Sequence, residues 1–131
     1  VGQVLPELKG KLTANAVRVP TPNVSLAIIN LRFAKDITLE ELNDFLRQKA
    51  FHSDLKEQIG FTNSPEVVST DFVGDRHAGI IDSAATIVNG NKCVLYVWYD
   101  NEFGYTAQLL GLAKEMVGLT YQRYPNFSES T

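Results

Sequence analysis

The sequence holds a single cysteine among 131 residues, so no disulfide can form within it, and that usage suits a reducing compartment. It has no run of 18 apolar residues, which excludes a helix that crosses a membrane. Basic residues nowhere form a block, and the formal charge is only −3, so the electrostatic footprint of a nucleic-acid binder is absent. A Gly-x-Gly-x-x-Gly turn is missing as well, and with it the phosphate cradle of a dinucleotide-binding unit. Val1 to Leu8 opens without a charged leader, which predicts no secretory signal and a cytoplasmic location.

What is present is enough for one packed core: 44% hydrophobic and 21% charged residues in a chain of ordinary domain size. Val1, Val4, Leu5 and Leu8 fall on one side, which predicts the tail of an amphipathic helix ended by Gly10. Alternation over Leu12 to Pro20 predicts a strand, and a second, longer one is predicted over Val24 to Phe33. Thr38-Leu39-Glu40-Glu41 is a capping box, and Leu39, Leu42, Phe45 and Leu46 recur at helical spacing, so a helix is predicted to about Lys49 against the apolar sheet face. Short strands are predicted at Ile59 to Thr62, Val67 to Phe72, Ala78 to Asp82 and Ala84 to Val88. Asn89-Gly90 predicts a type I′ hairpin turn into a strand at Asn91 to Tyr99 that is apolar on both faces and therefore central. A last helix, Tyr105 to Val117, is expected to bury Leu109, Leu112, Ala113 and Met116, with Gly118 as its stop. The sum is an α+β fold, a mostly antiparallel (mixed) sheet with helices packed on one face.

Three stretches carry candidate chemistry. Trp98-Tyr99-Asp100-Asn101-Glu102-Phe103-Gly104-Tyr105 joins the apolar strand to the last helix, a place where α/β and α+β proteins put ligand-handling groups. Asn101 offers donor and acceptor side by side, the pattern that grips another primary amide, while Gly104 permits a sharp turn among four rings. The competing reading is that Asp100 or Asn101 caps the helix and the rings fill core. Arg18 precedes Pro20 and Pro22, which stiffen the backbone; it is either a surface arginine or a two-pronged phosphate ligand. Asp71, Asp75 and His77 sit close in sequence, yet no second histidine or cysteine accompanies them, so no metal site is expected and His77 reads as a hydrogen-bonded loop residue. Cys93 lies in mid-strand with Leu95 and Val97 on its face and no histidine adjacent, so it reads as a small buried hydrophobe and not a nucleophile.

The eight residues from Trp98 to Tyr105 closely resemble the near-C-terminal signature of phosphorylating glyceraldehyde-3-phosphate dehydrogenases, and Arg18-Val19-Pro20-Thr21-Pro22-Asn23 is similar to the segment that supplies that family's substrate-phosphate arginine. The resemblance runs to about Gly118. It implies that Asn101 holds the carboxamide of the nicotinamide, that Tyr105 packs beside the ring, and that Arg18 binds the substrate phosphate. Asp71 to His77 also resembles a family segment of structural role, with Arg76 where the family commonly has proline. On this resemblance residues 1–119 are the C-terminal part of a catalytic domain and 120–131 an extension. The N-terminal dinucleotide-binding domain, the nucleophilic cysteine and the histidine base are expected upstream, so no catalytic residue is assigned here.

The implied reaction is oxidation and phosphorylation of glyceraldehyde 3-phosphate with NAD and inorganic phosphate through a cysteine thioester, in a homo-oligomer (a tetramer in the family). The segment alone should be inactive. Two alternatives stand beside it: erythrose-4-phosphate dehydrogenase on the same scaffold, and a non-catalytic oligomerisation module.

Overall fold

The computed structural model describes residues 1–119; the expected 120–131 extension lies outside them. Four strands form one sheet: β1 (Ser25–Arg32), β2 (Ile59–Thr62), β3 (Gly79–Asn89) and β4 (Lys92–Tyr99), in the order β1-β4-β3-β2. The β1–β4 and β4–β3 pairs are antiparallel and β3–β2 is parallel, so the sheet is mixed and mostly antiparallel. Two helices, α1 (Leu39–His52) and α2 (Phe103–Met116), complete an α+β fold as expected.

The central strand is covered on both faces, each by a small core. On one face Cys93 and Leu95 are buried with Leu42 of α1, flanked by Phe33, Ile37, Leu46, Val88 and Val97. On the other, Trp98 stacks on Phe72 with ring centroids 5.5 Å apart, beside Val24 and Ile80. Alternation of side chains along β4 assigns the two sets. The second face is covered only at its Trp98 end. Farther along, Ile28 of β1 and Ile87 of β3 stay exposed, opposite Tyr96 and Val94 in the register.

α1 starts where its capping box places it. Glu41 N donates to Thr38 Oγ1 at 3.1 Å and Thr38 N donates to Glu41 Oε2 at 2.9 Å, satisfying two donors that the first turn leaves open. The helix runs three residues past Lys49, and basic Lys49 and His52 sit in its last turn, where the dipole favours them.

Several elements differ from expectation. Val1 to Leu8 forms a 3₁₀ turn at Pro6–Leu8 and no amphipathic helix. Leu12 to Pro20 forms no strand: Leu12, Val17 and Val19 are exposed, and the segment has no neighbour to complete a ladder among the described residues. Val67 to Phe72 is also no strand; Asp71 Oδ2 accepts from Val68 N at 2.8 Å and winds Ser69–Phe72 into a 3₁₀ turn. The two strands expected between Ala78 and Val88 are one, interrupted between Asp82 and Ile87. There Asp82 folds the bulge onto itself, accepting from Ala85 N and Thr86 Oγ1. The hairpin turn is Gly90–Asn91, with positive φ at Gly90 (+59°) and not at Asn91, the pattern of type II′ and not type I′.

The correction at α2 matters most. Leu109, Leu112, Ala113 and Met116 are exposed, Met116 by 79%, where burial was expected. Periodicity marks an apolar face but does not supply its cover. α2 is held instead at its start and by Gln108, whose Nε2 donates to Glu57 O and Arg76 O at 3.0 Å each. Only α1 therefore packs broadly on the sheet.

Candidate functional site

The junction between β4 and α2 is built around a carboxylate. Asp100 is 2% exposed and accepts four hydrogen bonds from three separate stretches. Asn23 Nδ2 and Gly74 N donate to Oδ2, each at 2.9 Å. Glu102 N and Phe103 N donate to Oδ1 at 3.1 and 2.8 Å. The bond from Gly74 N, then that from Phe103 N, holds its carboxyl below the usual carboxylate range. Because two of these donors are orphan amides at the head of a helix, α2 begins at Phe103, two residues earlier than periodicity predicts.

Asn101 follows directly. It is exposed, and its side-chain amide makes no hydrogen bond within residues 1–119. Tyr105 stands in the first turn of α2, 72% exposed. The capping reading and the ligand-handling reading thus divide between two neighbours: Asp100 secures the turn, and Asn101 is left with a free amide. The rings divide too. Trp98 packs into the core, where its Nε1 donates to Asp82 Oδ2 at 3.1 Å, while Phe103 and Tyr105 face solvent. Gly104 is required for its size. A Cβ there would stand 2.6 Å from the His77 carbonyl oxygen.

Arg18 is exposed and makes no ion pair within residues 1–119. Its arm reaches the junction through Asn23, so the two stretches singled out in the sequence meet at Asp100. A cleft of about 480 Å3 lies between Phe51, Phe61, Phe72 and His77, and another of about 340 Å3 lies beside Arg32, Lys92 and Cys93; neither includes Arg18, Asn101 or Tyr105.

Val24, next to Asn23, has φ +73°, a left-handed conformation that a β-branched residue seldom adopts. Neither this strain nor the role of Asp100 follows from periodicity. The one signal available was an acidic residue ending an apolar strand just before a helix. His77 is the hydrogen-bonded loop residue the sequence predicts, its Nδ1 2.7 Å from Asp75 Oδ1. Cys93 is buried in mid-strand, and burial pushes its thiol up. Among the described residues, no three His, Cys, Asp or Glu side chains come together to hold a metal ion.

The model of the "Glyceraldehyde 3-phosphate dehydrogenase, C-terminal domain" family matches residues 1–101. The chain belongs to the glyceraldehyde-3-phosphate dehydrogenase family. It is 60% identical over 123 residues to a glyceraldehyde-3-phosphate dehydrogenase-like protein of Pseudomonas aeruginosa, covering 94% of this chain and 27% of that protein. It is 50% identical over 113 residues to glyceraldehyde-3-phosphate dehydrogenase 2 of Mucor circinelloides, covering 86% and 33%. With the glyceraldehyde-3-phosphate dehydrogenase of Glossina morsitans morsitans it shares 46% identity over 117 residues, covering 88% and 34%. The chain therefore spans about a quarter to a third of the length of these dehydrogenase relatives.

Proposed function

We propose that the chain is the C-terminal part of a phosphorylating, NAD-dependent glyceraldehyde-3-phosphate dehydrogenase, and that its share of the work is orientation. The observation that carries this is the exposed, unengaged amide of Asn101 on a turn fixed by Asp100, tied through Asn23 to the arm bearing Arg18. A primary amide with both its donor and its acceptor unused matches a carboxamide in a two-point hydrogen bond. These residues fit the nicotinamide end of NAD; the remainder of the dinucleotide would be held by the part of the protein that this chain does not span. When bound, NAD supplies the hydride acceptor.

Each residue then has a limited task. With NAD bound, Asn101 would hold the carboxamide of the nicotinamide, Tyr105 would lie beside the ring, and Arg18 would steady the phosphate of the aldehyde. Orientation of this kind contributes substantially to rate, because reacting atoms must be held near contact distance. The thiolate that forms the thioester, and the histidine that assists it, belong to the unspanned part. Cys93 is buried among apolar side chains, and His77 Nδ1 is engaged by Asp75. Residues 1–131 alone are therefore expected to show no turnover with NAD, phosphate and aldehyde.

Steady-state rates of the full-length protein on glyceraldehyde 3-phosphate and erythrose 4-phosphate test the reading. Glyceraldehyde 3-phosphate should be preferred in kcat/KM by about tenfold or more. The reverse preference would make the protein the four-carbon enzyme. A second reading, a non-catalytic oligomerisation module, draws on the exposed Ile28 and Ile87 of the uncovered part of the sheet face. A full coding sequence without an upstream cysteine and histidine would establish it. In the enzyme reading the same face supports a homo-oligomer, and the location is cytoplasmic.

A further inference from the structure

Val24, the non-glycine residue with positive φ among the described residues, stands where the Arg18 arm enters the sheet, and such a conformation persists only where its surroundings over-determine it. Two features do so. The Val24 side chain is buried with Phe72 and Ile80, and the Val24 N–H donates to Asn23 Oδ1 at 2.8 Å. Asn23 spends its other end on Asp100, through Nδ2 at 2.9 Å. Both ends of that amide are therefore committed, one to the arm's own backbone and one to the carboxylate that secures the Asn101 turn.

The path from Asn23 back to Arg18 is five residues, two of them proline. Proline fixes φ, and Thr21 N donates to Val19 O at 2.9 Å in a tight turn around Pro20. Between Asn23 and Arg18 the two prolines and this turn leave few free torsions, so a rotation at Asn23–Val24 moves the arm. Release of the Asp100 bond would free the Asn23 side chain, loosen the hydrogen bond that this side chain accepts from Val24 N, and let the arm move.

We propose that Asn23 and Asp100 form a positioning clamp that sets the Arg18 arm against the Asn101 turn, so that the grip on the substrate phosphate depends on the carboxylate that also fixes the nicotinamide-binding amide. This rests on the reading of Arg18 and Asn101 given above and adds two residues to it. Neither touches substrate; both act through their neighbours.

The test uses the full-length enzyme and two aldehydes, glyceraldehyde 3-phosphate and unphosphorylated glyceraldehyde, with Asn23→Ala and, as control, Arg18→Ala. Asn23→Ala should lower the ratio of kcat/KM for the phosphorylated over the unphosphorylated aldehyde by about tenfold, the worth of one well-placed charged hydrogen bond. Asn23→Ser, whose hydroxyl is too short to reach Asp100, is the milder variant and should give the same change should the alanine variant fail to fold. A loss spread equally over both aldehydes would make the bond merely structural and overturn the clamp. So would an unchanged ratio in the Asn23 variants alongside a collapsed ratio in Arg18→Ala. An unchanged ratio in Arg18→Ala itself would remove the phosphate reading of that residue, and the clamp with it.

Discussion

Asn23 and Asp100, 77 positions apart in sequence, are joined by a 2.9 Å hydrogen bond that brings the two chemically distinctive stretches of this chain to one point. The carboxylate at that point is almost wholly buried and fully employed, each oxygen taking two N–H donors. Asp100→Asn keeps the shape but turns one acceptor into a donor facing other donors. The expected cost is about 2 kcal/mol, since two part-buried N–H groups lose their acceptor and face a donor instead, read as a lower midpoint in urea unfolding of the full-length protein. A loss below about 0.5 kcal/mol would contradict the hub.

The same hydrogen bonds set a pH dependence. They depress the folded-state pKa of Asp100, so their contribution is complete above the unfolded value of about 3.9 and is lost as pH falls from there through the folded value. Wild-type stability should fall below about pH 4, and the difference between wild type and Asp100→Asn should shrink over the same range. Parallel stability curves for the two proteins down to pH 2 would refute the assignment.

Gly104 packs its α-carbon against the backbone of the loop before β3. Gly104→Ala places a methyl group 2.6 Å from the His77 carbonyl oxygen, a contact that only backbone movement can relieve. The expected destabilisation is about 1–3 kcal/mol, although alanine is the better helix former. Its movement would also displace the adjoining turn, so the variant should weaken NAD binding; unchanged stability and binding would contradict the close approach.

Cys93 should resist alkylation in the native protein at pH 8, because burial both hides the sulfur and disfavours its thiolate. Labelling of the peptide that contains Cys93 should appear only with unfolding. Rapid modification of that peptide under native conditions would contradict its place between Leu42 and Leu95.

The elements legible in the sequence were those whose signals are local. The Thr38–Glu41 capping box fixed the start of α1 within the chain's own chemistry, and the two-sided apolar run of β4 announced a central strand. Elements that need a partner were not legible in the same way. Leu12 to Pro20 alternates like a strand, but alternation cannot supply a neighbour. The apolar residues of α2 likewise lack a cover among residues 1–119. At the site, Asn101, Tyr105 and Arg18 stood out through resemblance and Asp100 as a candidate helix cap, whereas the bond from Asn23 to Asp100 and the strain at Val24 emerged only from long-range bonding and a backbone angle. Those are properties of the folded chain, not of any window along it.

The central claim is that Asn101 orients the nicotinamide. Single-turnover hydride transfer by full-length Asn101→Ala, compared with its affinity for ADP-ribose, tests this most directly. The account predicts hydride transfer slowed about a hundredfold, the cost of losing a two-point amide contact, with ADP-ribose affinity within about twofold of wild type, a change of roughly 0.4 kcal/mol. Equal losses in both measurements, or an undiminished rate of hydride transfer, would contradict it.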